Sequence, residues 1–255
     1  MKIYVCVKHV PDSAARITIV AKNQIAEDIT FLLNPYDENA VEEAVRLKEQ
    51  TGNSEIIAVT LGKQSALNTL QAALAMGADR AILVKTDNRP DSIMTARALK
   101  AAIELDGKPD IIFTGKESID GEGMQTMFRL AAAMGLPVAT NAVAFALAQD
   151  HAAVESDLEA GVRQELEIPL PCVIGTGKGL NTPRYPTFMD IRNSKKKEIR
   201  QIDMDDLGIE APPSSMEVLE LEPSVEQRQP KEIKGTPLEM VRQLIEVLRQ
   251  EAKVI

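Results

Sequence analysis

The stretch TGKESIDGEGMQT, running to Thr126, is where this chain has the clearest capacity for chemistry. Gly115, Gly121 and Gly123 fall within nine residues directly after an apolar run, and Gln125 and Thr126 then open a helix. Glycines let backbone N–H groups approach an anion, and a helix N-terminus adds partial positive charge, so this order of residues suits a phosphate cradle. Lys116 would add a formal charge. The spacing is neither Walker A, which ends in Gly-Lys-Ser/Thr, nor the G-x-G-x-x-G dinucleotide fingerprint. The competing reading is a turn that binds nothing, since turns recruit Gly and Asp for their own geometry. Under the cradle reading, Gly121 is expected to need close backbone approach or a positive φ.

The remaining reactive residues point away from catalysis. His9 follows the first apolar run and reads as polar surface sooner than as a ligand. Cys6 and Cys172 lie in apolar runs and read as inert core thiols. There is no Gly-x-Ser-x-Gly elbow and no Cys/His pair with nucleophile spacing. Two His and two Cys do not make a zinc site of N/S ligands. The Lys195-Lys196-Lys197 run reads as a solvated face, or as a docking point for an acidic partner beside an exposed Pro-bearing loop. No acid, base and nucleophile come together, so the expectation is a nucleotide-holding protein with no catalytic residues and no metal.

The elements needed to position the loop are legible as an alternation. IYVCV, EIIAVTLG, RAILVK and DIIFTG are strand runs. Between them lie helical patterns: ENAVEEAVRLKEQ with Asp37 as a cap, QSALNTLQAALAMG with Leu67, Leu70 and Leu74 on one face, and residues 91–105 through Ile93, Ala96, Leu99 and Ile103. GMQTMFRLAAAMG follows as another helix. Gly52, Gly77 and Gly135 supply the stops. Successive βαβ units predict an α/β fold, a mostly parallel twisted sheet with helices on both faces. Such sheets bind ligands outside the carboxyl ends of their strands where strand order reverses, which selects Lys8–Asp12, Asn34–Asp37, Leu61–Lys63 and Gly115–Thr126. After Pro137, NAVAFALAQ, HAAVES, VRQELEI and CVIGTG lack intervening helices and predict a small antiparallel extension. Residues 178–200 are polar with a basic cluster, and 201–235 are rich in Glu and Pro. Leu238, Val241, Leu244, Ile245 and Leu248 mark an amphipathic C-terminal helix. The expected division is an α/β domain over 1–200 and a C-terminal arm and helix over 201–255.

Composition narrows the function classes. At 255 residues the chain is long enough for a full core without staples. Its balance of 29 basic and 38 acidic residues disfavours a nucleic-acid or anionic-membrane binder. No apolar run approaches the length of a membrane span, and the N-terminus carries no secretory signal pattern. Two cysteines without a framework suit a reducing compartment, so a soluble cytoplasmic protein is expected.

Five blocks, VKHVPD, NPYDENAVEEAVRLKE, ALAMGADRAILV, GKESIDGEGMQT and LNTPRYPTFMDIRNSKKKEI, resemble in order and spacing the beta (small) subunit of electron transfer flavoproteins, over essentially the whole chain. The resemblance implies an adenine-nucleotide-binding fold of the HUP class in a heterodimer with a larger alpha subunit. FAD would lie mainly on the alpha subunit near the interface, and the beta subunit would bury AMP or, in bifurcating members, a second FAD. By matching position the nucleotide site comprises Cys6, Asn34, Pro35, Tyr36, Asp37, Leu61, Gly115, Lys116, Glu117, Ser118, Ile119, Asp120, Gly121, Glu122, Gly123, Met124, Gln125 and Thr126. Tyr36 and Ser13 fall where the family approaches the alpha-bound flavin. In the recognition loop, 181–195, Phe188 matches the hydrophobic anchor for an acyl-CoA dehydrogenase, flanked by Pro183, Arg184, Tyr185, Met189 and Ile191. Asp157 stands near a family Glu that pairs with the alpha subunit. The C-terminal arm would pack on that subunit.

Pro11-Asp12, Tyr36-Asp37 and Asp120-Gly121 look like bifurcating members, whereas Gln125-Thr126 looks like AMP-containing ones. Met127 and Phe128 would crowd the turn and favour the shorter ligand, AMP. Three functions are therefore compared: an electron carrier for acyl-CoA dehydrogenases with AMP, a bifurcating component that oxidises NADH with a second FAD, and an ATP-binding adaptor of the HUP type. Nothing under the last explains PRYPTF.

Overall fold

The computed structural model describes residues 1–209, 218–223 and 230–254. The N-terminal part alternates as the sequence predicts: β1 (Lys2–Cys6), α1 (Pro35–Thr51), β6 (Glu55–Gly62), α2 (Leu67–Met76), β7 (Arg80–Lys85), α3 (Ser92–Asp106), β8 (Ile111–Gly115) and α4 (Thr126–Met134). Between β1 and α1 lie two ribbons, β2 (His9–Pro11) with β5 (Phe31–Leu33), and β3 (Ile19–Ala21) with β4 (Gln24–Ile25). The chain continues through β9 (Val138–Leu147), β10 (His151–Asp157), β11 (Arg163–Pro169), β12 (Cys172–Thr176), α5 (Phe188–Ser194), β13 (Ile199–Asp203) and α6 (Pro237–Gln250).

Among the described residues nine strands form one sheet in the order β11-β10-β9-β12-β8-β1-β6-β7-β13. Every pairing from β9 to β13 is parallel, and the β9–β10 and β10–β11 pairings are antiparallel, so β10 alone runs against the sheet. The expected antiparallel extension is thus correct for β9–β11 but not for CVIGT. That run inserts as β12 between β8 and β9, parallel to both, and its residues are buried throughout. A strand covered on both faces reads as a continuous apolar run and gives no local sign of its direction. The edge strand β13, IRQID, went unread because its exposed positions are charged or polar. It carries the sheet three residues past the boundary expected at 200.

Strand alternation divides the core into two layers. Ile3, Val5, Ile56, Ala58, Ile111 and Phe113 meet α1 and α2 on one face, and Tyr4, Cys6, Ile57, Val59 and Ile112 meet α3 and α4 on the other. Right-handed crossovers impose this arrangement. β1 to β6 to β7 advances one way, and α3 then carries the chain back to β8 on the opposite side of β1. The strand order therefore reverses between β1 and β8, whose carboxyl ends face the loops after Cys6 and Gly115.

The amphipathic helix expected near the C-terminus is α6, begun by Pro237 and by Glu239, whose carboxylate accepts from the Thr236 N–H at 2.8 Å. None of its residues is buried; Leu238, Val241, Leu244 and Ile245 are exposed.

Candidate nucleotide cradle and partner loop

The sequence NPYD fixes the reversal point. Asn34 stands at the cap position of α1 with Pro35 in the first turn, where a missing N–H costs nothing. The Asn34 side chain does not cap the helix. Its Nδ2 donates to Glu117 O at 2.9 Å and its Oδ1 accepts from the Ile119 N–H at 3.1 Å, so it holds the Gly-rich loop. Asp37, expected to be the cap, does something else: its carboxylate accepts from the Lys8 N–H at 2.7 Å and the Gly115 N–H at 2.9 Å. It joins the ends of β1 and β8. Burial pushes its carboxyl up to about 7, against the pull of the Asn34, Lys8 and Gly115 hydrogen bonds.

Gly115 is the glycine that the fold requires. A Cβ there would collide with Asp37 Oδ1 and lie 2.7 Å from Tyr36 Cβ. Gly121, by contrast, has room for a side chain, with Ser118 Oγ at 3.6 Å, and does not take a left-handed φ. Of the two expectations for Gly121, the positive φ is not met. The left-handed positions of the loop are Glu122 (φ 46°) and Met124 (φ 50°), non-glycine residues in a sparsely populated region. Such conformations persist where surrounding structure holds them, often at ligand sites. Among the described residues no protein acceptor is bonded to the Gly123 or Met124 N–H.

Lys8 closes the outer side. Its Nζ lies 2.7 Å from Asp120 Oδ1 and 3.0 Å from Ser118 Oγ. Burial would raise the Asp120 pKa, but the hydrogen bonds from Lys8 and Ser118 outweigh it and leave the carboxyl below its usual range. Lys116 pairs with Glu117 at 3.3 Å and sits 5.3 Å from the Tyr36 ring centroid, with Lys178 at 5.8 Å from the same ring. On the α3/α4 side, Ser92 Oγ and Gln125 Oε1 are 3.4 Å apart, so the N-termini of α3 and α4 converge there. Cys6, its thiol pushed up to about 12 by burial and then by Asp37, forms part of the floor, and Leu61 is half-buried at the end of β6.

Met127 corrects the crowding argument. Its side chain is buried, with Thr140 Oγ1 3.4 Å from its sulfur, and it occupies the space beside Gly175 where a Cβ would stand. It fills the core between α4 and β12 and not the loop. Only Phe128 of the two is exposed.

The middle of α1 organises a second surface. Asn181 Nδ2 donates to Asn39 O at 3.0 Å and Glu43 Oε2 at 2.8 Å, and Arg184 Nε donates to buried Glu42 at 2.8 Å. Arg184 also reaches Glu49 at 2.8 Å. Burial would raise Glu42, but the Arg184 hydrogen bonds hold it below the usual carboxylate range. Arg184 therefore turns inward as an anchor, with Pro183 half-buried beside it. Beyond it the chain leaves Tyr185 95% and Phe188 78% exposed, with Met189 and Ile191 also exposed. Thr187 and Asp190 form a capping box that starts α5 at Phe188. Of the lysine run, Lys195 and Lys196 are exposed, while Lys197 Nζ donates to Leu74 O at 2.9 Å and Ala78 O at 2.6 Å at the end of α2.

Other residues lie elsewhere. Asp157 ends β10, where its carbonyl accepts from Asn141 Nδ2 at 2.6 Å. Ser13 is exposed in the turn after Asp12. His9 stacks on Phe31 at 4.6 Å and bonds Thr69 at 2.7 Å, and burial lowers its pKa, so it serves packing. Sequence reasoning marked Lys8 as part of a ligand loop but missed its clamp on Asp120, and it missed the approach of Ser92 to Gln125. Lys8 had a signal in the VKHVPD block; Ser92 is brought to the site only by the sheet.

The molecule thus carries a polar cradle at the β1/β8 reversal and an exposed apolar loop, both held by one helix. Residues 22–207 match the electron transfer flavoprotein domain. The chain is 36% identical over 261 residues to the mitochondrial electron transfer flavoprotein subunit beta of Oryza sativa subsp. japonica, covering 100% of both. It is 32% identical over 260 residues to the electron transfer flavoprotein subunit beta of Bacillus subtilis (strain 168), again covering 100% of both. With the same subunit of Syntrophomonas wolfei it shares 38% over 199 residues, 78% of each. A match of this extent to domain and relatives alike places the chain in the electron transfer flavoprotein beta subunit family.

Proposed function

We propose that this chain, paired with a larger alpha subunit, carries electrons from acyl-CoA dehydrogenases toward a quinone-linked or other acceptor, with AMP in its own cradle. The alpha-bound FAD supplies the redox chemistry. The observation that carries the reading is the clamped loop over 115–126, held by Asn34, Asp37 and Lys8 above a buried floor. The residues fit a nucleotide. The Gly123 and Met124 N–H groups have no protein acceptor among the described residues, and the Thr114 hydroxyl is buried without a partner.

Tyr185, Phe188, Met189 and Ile191 fit a transient contact with the dehydrogenase. An apolar anchor on a rigidly held loop gives position without a large interface, so dissociation stays fast. Asp157 and the apolar face of α6 fit contacts with the alpha subunit, and 201–255 would be the arm that reaches it. Among the described residues no helix is long and apolar enough to cross a membrane. Buried thiols at Cys6 and Cys172 suit the cytoplasm, although the plant relatives are named mitochondrial.

A second reading replaces AMP by a second FAD and makes the complex an NADH-oxidising bifurcating component. The burial of Met127 favours it, because one of the two side chains thought to crowd the turn is elsewhere. Acid extraction of the heterodimer separates the readings. One flavin and one AMP support the carrier, and two flavins without AMP support the bifurcating component.

A further inference from the structure

Among the described residues two buried side-chain oxygens have no hydrogen-bond partner, Thr114 Oγ1 and Ser156 Oγ. Ser156 lies at a β-bulge against β9, away from the cradle. Thr114 lies within it. The residue is 5% exposed and immediately precedes Gly115. Alternation along β8 puts Phe113 with the α1/α2 layer and Thr114 on the face of Ile112 and Cys6. Its register neighbours are Cys6 on β1 and Gly175 on β12, and the latter has no side chain. The nearby Thr176 hydroxyl is satisfied, 2.8 Å from Tyr36 O and 3.1 Å from Thr114 O. A buried hydroxyl left unpaired is costly, and native structures rarely tolerate one without a reason.

We infer that Thr114 is a further ligand-binding residue of the cradle, its hydroxyl hydrogen-bonding the nucleoside portion of the purine nucleotide. The assignment rests on the nucleotide reading above. The N–H groups of the loop are the natural partners of phosphate, and Thr114 belongs to the strand-level floor beside Cys6, where sugar and base would extend. A hydroxyl both donates and accepts, so it can answer a ribose hydroxyl or a ring nitrogen. Cys6 stays a neutral thiol at physiological pH and adds no repelling charge.

The test compares wild type, Thr114→Val and Thr114→Ser as heterodimers stripped of nucleotide, by equilibrium dialysis against labelled AMP and, separately, labelled FAD. Valine keeps the shape and removes only the hydroxyl. Thr114→Val should bind the accepted nucleotide about tenfold more weakly, while Thr114→Ser stays within about twofold of wild type. The thermal midpoint of the stripped Thr114→Val heterodimer should equal or exceed wild type, because the unpaired hydroxyl is gone. Equal affinity of Thr114→Val and wild type would overturn the assignment and leave the nucleotide reading intact. Wild type that binds neither AMP nor FAD would overturn both.

Discussion

Replacing Gly115 by Ala tests whether the β1/β8 reversal is built for close approach. The new Cβ would overlap Asp37 Oδ1 and sit 2.7 Å from Tyr36 Cβ and 3.0 Å from the Tyr36 carbonyl carbon. Neither neighbour yields easily. Asp37 is fixed by two backbone N–H groups, and the Tyr36 carbonyl accepts from Thr176 Oγ1. Overpacking costs about 1–3 kcal/mol. Loss of the Gly115 N–H bond to a carboxylate costs about 1.5–3 kcal/mol. One displacement produces both, so the expected destabilisation is about 2.5–5 kcal/mol, less than strict addition at the upper end. Gly121→Ala meets only ordinary contacts and should stay within about 0.5 kcal/mol of wild type. Urea denaturation of the two variant heterodimers gives the stabilities, and chromatography of released nucleotide gives occupancy. Gly115→Ala should lose both and Gly121→Ala neither. Equal damage from the two substitutions, or none from Gly115→Ala, would refute the reasoning.

Phe188→Ala should raise the Kd for the acyl-CoA dehydrogenase about thirtyfold, the equivalent of about 2 kcal/mol for a hot spot, with flavin content and thermal midpoint unchanged; loss of flavin would argue for a folding role instead. Arg184→Ala should cost about 1.5–3 kcal/mol in denaturant titrations, since it leaves the Glu42 carboxylate buried, and should weaken dehydrogenase docking although Phe188 is intact. Asp37 gives a pH signature. Its raised pKa means that the stability it contributes is present below about pH 4 and lost as pH rises to about 7, with a slope approaching about 1.4 kcal/mol per pH unit. The stability advantage of wild type over Asp37→Asn should therefore shrink as pH rises through that window; a difference independent of pH would contradict the assignment.

The sequence made the parallel architecture legible because each helix carries a local signature: apolar spacing, a glycine stop, and for α3 the Asp91 cap, which accepts from the Met94 N–H at 2.8 Å. It also marked the loop over 115–126. What it did not show is non-local. Asp37 looks like a helix cap because Asp is a good one, and only the meeting of β1 with β8 reveals that two strand-end N–H groups claim it. Arg184 reads only as a flank of the recognition loop until Glu42 and Glu49 are brought beside it. Glycine content suggested which residues bend the loop, yet Glu122 and Met124 carry the left-handed angles, enforced by surrounding contacts and not by residue type. The place of β12 depends on which buried strand it pairs with, and a uniformly apolar pentapeptide leaves that choice to the rest of the sheet.

In the proposed function the carboxyl ends of β1 and β8 hold a purine nucleotide while the partner subunit holds the flavin that exchanges electrons. A crystal structure of the purified heterodimer, solved without added nucleotide, tests it most directly. Density for a purine nucleotide is expected against Cys6, Thr114 and the N–H groups of the loop over 115–126. A cradle empty at full occupancy of the alpha-subunit flavin, or a nucleotide seated elsewhere on this chain, would contradict it.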